Sequence, residues 1–321
     1  MRRVAITLVA ALCLITACNN FLAKPRSSEQ IIPERTTLRV GVGNPIDTAP
    51  LRLAVEDGSF TRAGLHVDLV EEPTPAAGLD GLARGNLDVA FATDVAMFKA
   101  AASGTALRLQ AEAYTSTPFT MSLMTLPSST YTNLADKKTP KIAVDELDDL
   151  GALAVRSMFT TAGGDPAKIK FVRYPYASMP TALRDKSVDA ALMIESFITQ
   201  AQQNLGARVL ADSSRGATMN LPMTAYAATG IFAEANPRTL ALFRSVLARA
   251  QQRAADPTVI RQALPRLAGI DEATADLVAL GQYPISLNGV RLQRVADLMR
   301  TSGMLSSRLD VVSLLPKDDT F

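Results

Sequence analysis

The sequence predicts an α/β protein of two lobes joined by a double-crossover hinge. Three observations lead there. Alternating strand and helix signals run in two series, from Leu38 to Tyr114 and from Lys141 to Asn204. Within them Leu82, Leu87, Asp88, Val89 and Ala90 recur at one constant offset as Leu183, Val188, Asp189, Ala190 and Ala191, so the two series share a topology. Past Pro222 the chain becomes helical, and helices without strands of their own need a sheet to cover.

The first series opens on Leu38-Arg39-Val40-Gly41-Val42, an alternating strand. Gly43 to Ala49 form a loop, and a helix starts at Pro50, whose missing N–H suits the first turn; Gly58 ends it. This loop lies at the carboxyl end of a strand and against free helix N–H groups, the place where open α/β sheets bind ligands. Leu65 to Val70 read as a strand, Ala76 to Arg84 as a short helix ended by Gly85, and Val89 to Ala92 as a buried strand. Val95 to Ser103 read as a helix capped by Gly104, and Leu107 to Tyr114 as the next strand. The repeated βα order implies a mainly parallel sheet.

The second series begins past Pro127-Ser128-Ser129. Strands are predicted over 141–144, 169–173 and 188–194, with helices over 149–162, 179–186 and 196–204 between and after them. From Pro222 the chain returns through an extended run, Met223 to Ala228. Helices then start at Asn236-Pro237, Asp256-Pro257, Asp271 and Gly289. The tail is expected to pack on the first lobe. Lobe 1 then comprises 38–117 and 225–321 and lobe 2 comprises 118–224, with crossings near Thr117-Pro118-Phe119 and Leu221-Pro222. Two crossings make a hinge, and the cleft between the lobes becomes a site that opens and closes.

The amino end carries Met1-Arg2-Arg3, an apolar run from Val4 to Ile15, and Ile15-Thr16-Ala17 before Cys18. This is an export signal too short to remain as a membrane span. The residues before Cys18 resemble the lipobox of bacterial lipoproteins, which makes 1–18 a lipoprotein signal segment and implies cleavage before Cys18 and acylation of Cys18 as the mature first residue. Residues 19–37, with Pro25, Ser27, Ser28 and Pro33 and no apolar period, read as a flexible, disordered tether. The other cysteine, Cys13, lies inside the signal, so no thiol remains for a disulfide, a nucleophile or a metal. Without Arg2 and Arg3, basic and acidic residues balance at 31 each, and there is no Trp. Nucleic-acid binding therefore has little support.

The chemistry left to the chain is narrow. Gly41-Val42-Gly43 begins like a dinucleotide fingerprint, but Ile46 stands at the third glycine position, and no phosphate-binding G-x-x-x-x-G-K-[ST] occurs. The single histidine, His66, lies on the polar side of a strand. No catalytic residue, metal site or cofactor is expected. Candidate ligand-binding residues are the polar ones at strand ends: Asn44, Asp47, Thr48, Thr93, Asp94 and Thr117 in the first lobe, and Asp148, Asp149 and Glu195 in the second. Thr48, Thr93, Asp94 and Asp149 serve equally well as helix caps or first-turn acids. Tyr226, on the returning run, either stacks on a planar solute or fills space between lobes. The alternative to a binding protein is an exported enzyme on the same scaffold, with Asp94 or Glu195 as acid or base.

Several segments together carry a resemblance: Leu38-Arg39-Val40-Gly41, Ala49-Pro50-Leu51, Gly58-Ser59-Phe60, Gly64-Leu65-His66-Val67, Leu87-Asp88-Val89-Ala90, and Val188-Asp189-Ala190-Ala191 followed by Glu195-Ser196-Phe197. Over Thr37 to about Met304 the chain resembles solute-binding proteins of the nitrate, sulfonate and thiamine-precursor importers. Ser196 replaces the proline usual after the glutamate in that group, and Asp145 to Leu150 stand where many relatives carry asparagines. The resemblance implies the type II periplasmic-binding-protein fold. It also implies an extracytoplasmic, membrane-anchored monomer that serves an ABC permease and its ATPase. With five acids and no Lys or Arg among the candidate positions, a solute bearing amine or N–H donors suits the loops better than an inorganic anion.

Overall fold

The computed structural model describes residues 32–316. The expected signal peptide, the lipid site Cys18 and most of the expected tether lie outside the described residues. The last part of that tether is not free. Glu34 accepts hydrogen bonds from the backbone N–H groups of Arg238 (3.1 Å) and Thr239 (2.8 Å), and Arg35 N–H donates to Thr239 Oγ1 at 3.0 Å. The physical reason is the helix start at Pro237. Its second and third residues have N–H groups without intrahelical partners, and a carboxylate satisfies them. Burial alone would raise the Glu34 pKa, but the bonds from Arg238 and Thr239 outweigh it and bring it down to about 2.

The first sheet starts with β1 (Thr37–Val42), which buries Leu38, Val40 and Val42 completely. After α1 (Ala49–Glu56) and the single turn α2 (Ser59–Arg62), β2 (His66–Glu71) pairs with β1 in parallel. Then follow α3 (Pro75–Ala83), β3 (Ala90–Thr93), α4 (Asp94–Ala102) and β4 (Leu107–Thr115). The chain crosses and builds the second lobe from β5 (Met121–Thr125), β6 (Lys141–Val144), α5 (Leu150–Thr161), β7 (Lys170–Arg173), α6 (Met179–Arg184), β8 (Ala190–Ile194), α7 (Phe197–Leu205) and β9 (Arg208–Asp212). It returns as β10 (Pro222–Thr229), followed by α8 (Gly230–Ala235), α9 (Pro237–Arg253), α10 (Pro257–Ala268), α11 (Glu272–Leu277) and α12 (Gly289–Thr301).

The second sheet runs β7-β6-β8-β5-β9. In the first lobe β1-β2 and β3-β10-β4 are joined by a parallel bridge between Val40 and Val89, giving the order β2-β1-β3-β10-β4. The two orders are the same arrangement. In each, the strand that has just arrived from the other lobe, β5 or β10, inserts antiparallel between the third and fourth strands. The expectation of a mainly parallel sheet therefore holds for strand direction and fails for pairing. Neither β5 nor β9 was predicted. Met121 to Thr125 are buried on both faces, so the strand has no alternation to read.

The sequence echo acquires a physical meaning here. Asp88 accepts from the backbone N–H of Arg39 (2.8 Å), while its own N–H donates to Arg39 O (2.9 Å). Asp189 does the same with Lys141, accepting at 2.7 Å and donating at 2.7 Å. Each aspartate thus closes the entry to the equivalent strand of its lobe, β1 or β6, and pairs with a nearby cation, Arg39 in one and Lys137 in the other. The turns before them match as well: Gly85 has φ of 74° and Lys186 has φ of 56°.

The crossings lie side by side. Ser116 N–H donates to Leu221 O and Ser116 Oγ accepts from Leu221 N–H, both at 2.9 Å. A third segment leans on them, because Thr115 and Gln282 exchange backbone hydrogen bonds. Gly281 permits that approach: a Cβ there would sit 2.4 Å from Thr115 O. Helices of the tail lie against the first lobe, with Phe243 of α9 stacked on Phe60 at 5.8 Å and α12 packed against α4. One helix departs from the expectation. α11 reaches the second lobe, where Thr274 Oγ1 donates to Gln203 Oε1 of α7 at 2.9 Å.

Candidate functional site

A cleft of about 450 Å³ opens between the lobes at the carboxyl ends of the parallel strands of both sheets. The first lobe supplies Gly43, Asn44 and Asp47 after β1, Glu71 to Pro75 after β2, and Phe91 and Thr93 of β3. The second supplies Asp145, Glu146 and Asp149 after β6, Tyr176 after β7, and Ile194 and Phe197 beside β8. Met223 and Thr224 of β10 form part of the floor.

The loop after β1 is held by its own polar groups. Asn44 Oδ1 accepts from Ile46 N–H (3.0 Å), and Asn44 O accepts from Thr48 N–H (3.1 Å) and Thr48 Oγ1 (2.8 Å). Arg52 of α1 fixes it from behind, donating to Thr48 Oγ1 (2.8 Å) and Gly43 O (3.1 Å) while its guanidinium grips Glu71. Gly43 is needed because a Cβ would lie 3.0 Å from the Phe91 ring. Asp47 is only 4 % exposed and accepts from Thr224 Oγ1 at 3.1 Å; burial pushes its pKa up to about 7.

Across the cleft, Asp149 caps α5 by accepting from Leu150 N–H (2.7 Å) and also accepts from Thr93 Oγ1 of the other lobe (2.5 Å). Thr93 in turn caps α4 by accepting from Ala96 N–H at 3.0 Å. Burial raises Asp149 to about 6, against the lowering effect of those two bonds. Burial and the neighbouring Glu146 likewise raise Asp145. Tyr176 and Phe197 stack at 5.6 Å and 23°, forming an aromatic wall.

Of the ten residues picked from sequence, the structure gathers Asn44, Asp47, Thr93 and Asp149 on the cleft wall. The other six point elsewhere. Thr48 is wholly buried between Asn44 O and Arg52. Asp94 faces the interior at 0 % exposure with neither carboxyl oxygen hydrogen-bonded; burial, then Glu112 and Asp149, hold its pKa well above the usual range. Thr117 Oγ1 donates to Leu280 O at the hinge (2.9 Å). Asp148 pairs with Lys99 outside the cleft. Glu195 accepts from Thr199 N–H (3.1 Å), Thr199 Oγ1 (2.9 Å) and Ala279 N–H (3.0 Å), tying the second lobe to the segment beside the hinge. Tyr226, 1 % exposed, lies between Phe91 (5.7 Å) and Phe243 (6.0 Å). The two acids an exported enzyme would use are thus both off the cleft wall.

Sequence reasoning missed the aromatic side chains Phe91 and Tyr176 and the acids Glu71 and Glu72. Phe91 reads as core because it sits in an apolar strand, and Tyr176 lies in a single 3₁₀ turn without periodicity. A usable signal existed for Phe91: it is two residues before Thr93 and so shares its face. His66 is exposed beside Asp68, away from the cleft. Among the described residues no group of three or more His, Cys, Asp or Glu could hold a metal, and no helix is long and apolar enough to cross a membrane.

Comparison with solved structures finds the same fold repeatedly. The periplasmic aliphatic sulphonate binding protein SsuA of Escherichia coli superposes with a TM-score of 0.69 at 18 % identity, covering 88 % of this chain and 92 % of that one. The alkanesulfonate-binding SsuA of Xanthomonas axonopodis pv. citri, bound to MOPS, gives 0.70 at 19 %, covering 88 % and 99 %. The periplasmic nitrate-binding protein NrtA of Synechocystis PCC 6803 gives 0.73 at 16 %, covering 89 % and 87 %. The fold is therefore that of periplasmic binding proteins, two α/β lobes with a cleft between them. No curated protein sequence matches the chain. The family model described as NMT1/THI5 like matches residues 46–258, and on that match the chain belongs to the NMT1/THI5-like family.

Proposed function

We propose that the protein is the extracytoplasmic solute-binding component of an ABC importer, anchored to the membrane by lipid on Cys18, and that it closes on a small organic solute and delivers it to a permease. In this reading lobe 1 (38–117 and 225–321) and lobe 2 (118–224) pivot about the paired crossings. The observation that carries it is the cleft, whose walls come from the strand ends of both lobes and which lies beside the paired crossings about which such lobes can pivot. The structural relatives named above bind sulfonates and nitrate, which supports capture of a small solute. The chain carries out no chemistry on it, and ATP is hydrolysed by the partner ATPase.

The test is to purify the protein, denature it, and identify the released small molecule by mass spectrometry before and after prolonged incubation. One solute per chain, returned unchanged, is the expected result; a chemically altered product overturns the reading in favour of an enzyme. Cys18→Ser should release the protein from washed membranes. Retention of that variant on membranes overturns the anchor.

A further inference from the structure

We infer that the solute is a small organic cation with a flat apolar body, an inference that rests on the solute-binding reading above. Six carboxylates line the cleft and, among the described residues, no Lys or Arg does. Two of the six are neutralised from outside, Glu71 by Arg52 and Glu146 by Arg173 at 2.6 Å. Among the described residues Asp47, Glu72, Asp145 and Asp149 form no ion pair, although Arg173 and Lys99 act at longer range on Asp145 and Asp149. Asp47 is the most informative of these: nine-tenths buried and on the cleft wall, it has Thr224 as its one donor from another residue.

Some of the donors an anion would use are already taken. Anions bind at helix N-termini through unpaired first-turn N–H groups. Here one first-turn N–H of each of three helices beside the cleft is bonded, Ala77 N–H to Thr74 Oγ1 in α3, Ala96 N–H to Thr93 Oγ1 in α4 and Leu150 N–H to Asp149 Oδ1 in α5, and Ile46 N–H in the loop before α1 bonds Asn44 Oδ1. Pro50 and Pro75 remove one donor more from α1 and α3. The cleft is therefore rich in carboxylates and, among the described residues, lined by no cationic side chain, a poor setting for an oxyanion. Phe91, Tyr176 and Phe197 supply ring faces and edges, which favour a flat apolar group and, through the ring quadrupole, a positive charge. A volume of about 450 Å³ suits one such ring with a short charged arm.

The experiment uses the whole mature protein, cleared of any co-purified solute, in titration calorimetry at pH 7.5 with three matched probes. These are benzyltrimethylammonium, benzyl alcohol and benzenesulfonate, which share a ring and differ in charge. The expected result is binding of the cation at least tenfold tighter than of the neutral probe, with no binding of the sulfonate. Asp47→Asn should weaken cation binding about tenfold and leave the neutral probe unchanged, and Asp145→Asn, on the wall supplied by the other lobe, should do the same. Equal binding of neutral and cationic probes, preference for the sulfonate, or no binding of the cation each overturns the cation inference. None of these bears on the solute-binding reading, which stands or falls on the native solute recovered by mass spectrometry.

Discussion

Asp47 offers a direct test of the physics of the cleft. Burial raises its pKa from 3.8 to about 7 while Thr224 opposes the rise, so in the empty protein the carboxyl is protonated through most of the acid range. The unfolded chain ionises the same group near 3.8, so between those two values the folded state holds the extra proton. Stability linked to Asp47 is then present at pH 4 and lost as pH rises through 7. A shift of about three units corresponds to about 4 kcal/mol. Asp47→Asn removes the titration and keeps an oxygen for Thr224. Urea unfolding of both proteins from pH 4.5 to 8 isolates the effect, because every other titrating group is common to the two. The stability difference, wild type minus variant, should fall by roughly 3–4 kcal/mol across that interval. A difference that stays flat would refute the buried, unpaired carboxyl at this position, and with it the charge argument for the cleft.

Other expectations are equally concrete. Lys186 holds a left-handed turn where the first lobe has Gly85, and Lys186→Gly should stabilise the protein by about 0.5–1 kcal/mol in urea unfolding; destabilisation would deny the strain. Glu34→Ala uncaps α9 and should cost about 1 kcal/mol at pH 7. Because the folded pKa of Glu34 is lowered, that loss should persist above 4.5 and fade only as pH drops toward 2. Thr93→Val and Lys99→Ala together remove the bonds from Thr93 to Asp149 and from Lys99 to Asp148 across the cleft edge, so solution scattering should give a larger radius than wild type; an unchanged radius would mean that the contacts elsewhere, such as Thr274 with Gln203 and Arg156 with Ser302, hold the lobes.

Much of the fold was legible because its signals are local. The β1 strand, the proline helix start at Pro50 and the Asp149 cap each depend on a few neighbouring residues, and the repeated aspartates Asp88 and Asp189 mark the same joint in both lobes. What escaped was set by distant partners. β5 has no alternation because two sheet neighbours and two helix layers bury all of it. Site residues divided on side-chain direction. Thr93 ends a strand and faces the cleft, while Asp94 begins the helix and turns into the core, a reversal over one residue that spacing alone does not resolve. Glu71 and Glu72 follow a strand with no motif at all, and only the crossing of the lobes brings them opposite Asp145 and Asp149.

The inserted strands β5 and β10 have a consequence for the order in which the molecule is built. Lobe 2 takes all five of its strands from one stretch, Met121 to Asp212, whereas lobe 1 waits for β10, whose Pro222 pairs with Thr115 after the whole second lobe has intervened. Contacts so far apart in sequence form slowly. A chain that folds from its amino end thus has its first four lobe 1 strands with the slot between β3 and β4 empty, and the later lobe is the one able to complete itself first. Lobe 1 exists in finished form only as the last strand returns, so a stable separate amino-terminal half is not available to this architecture.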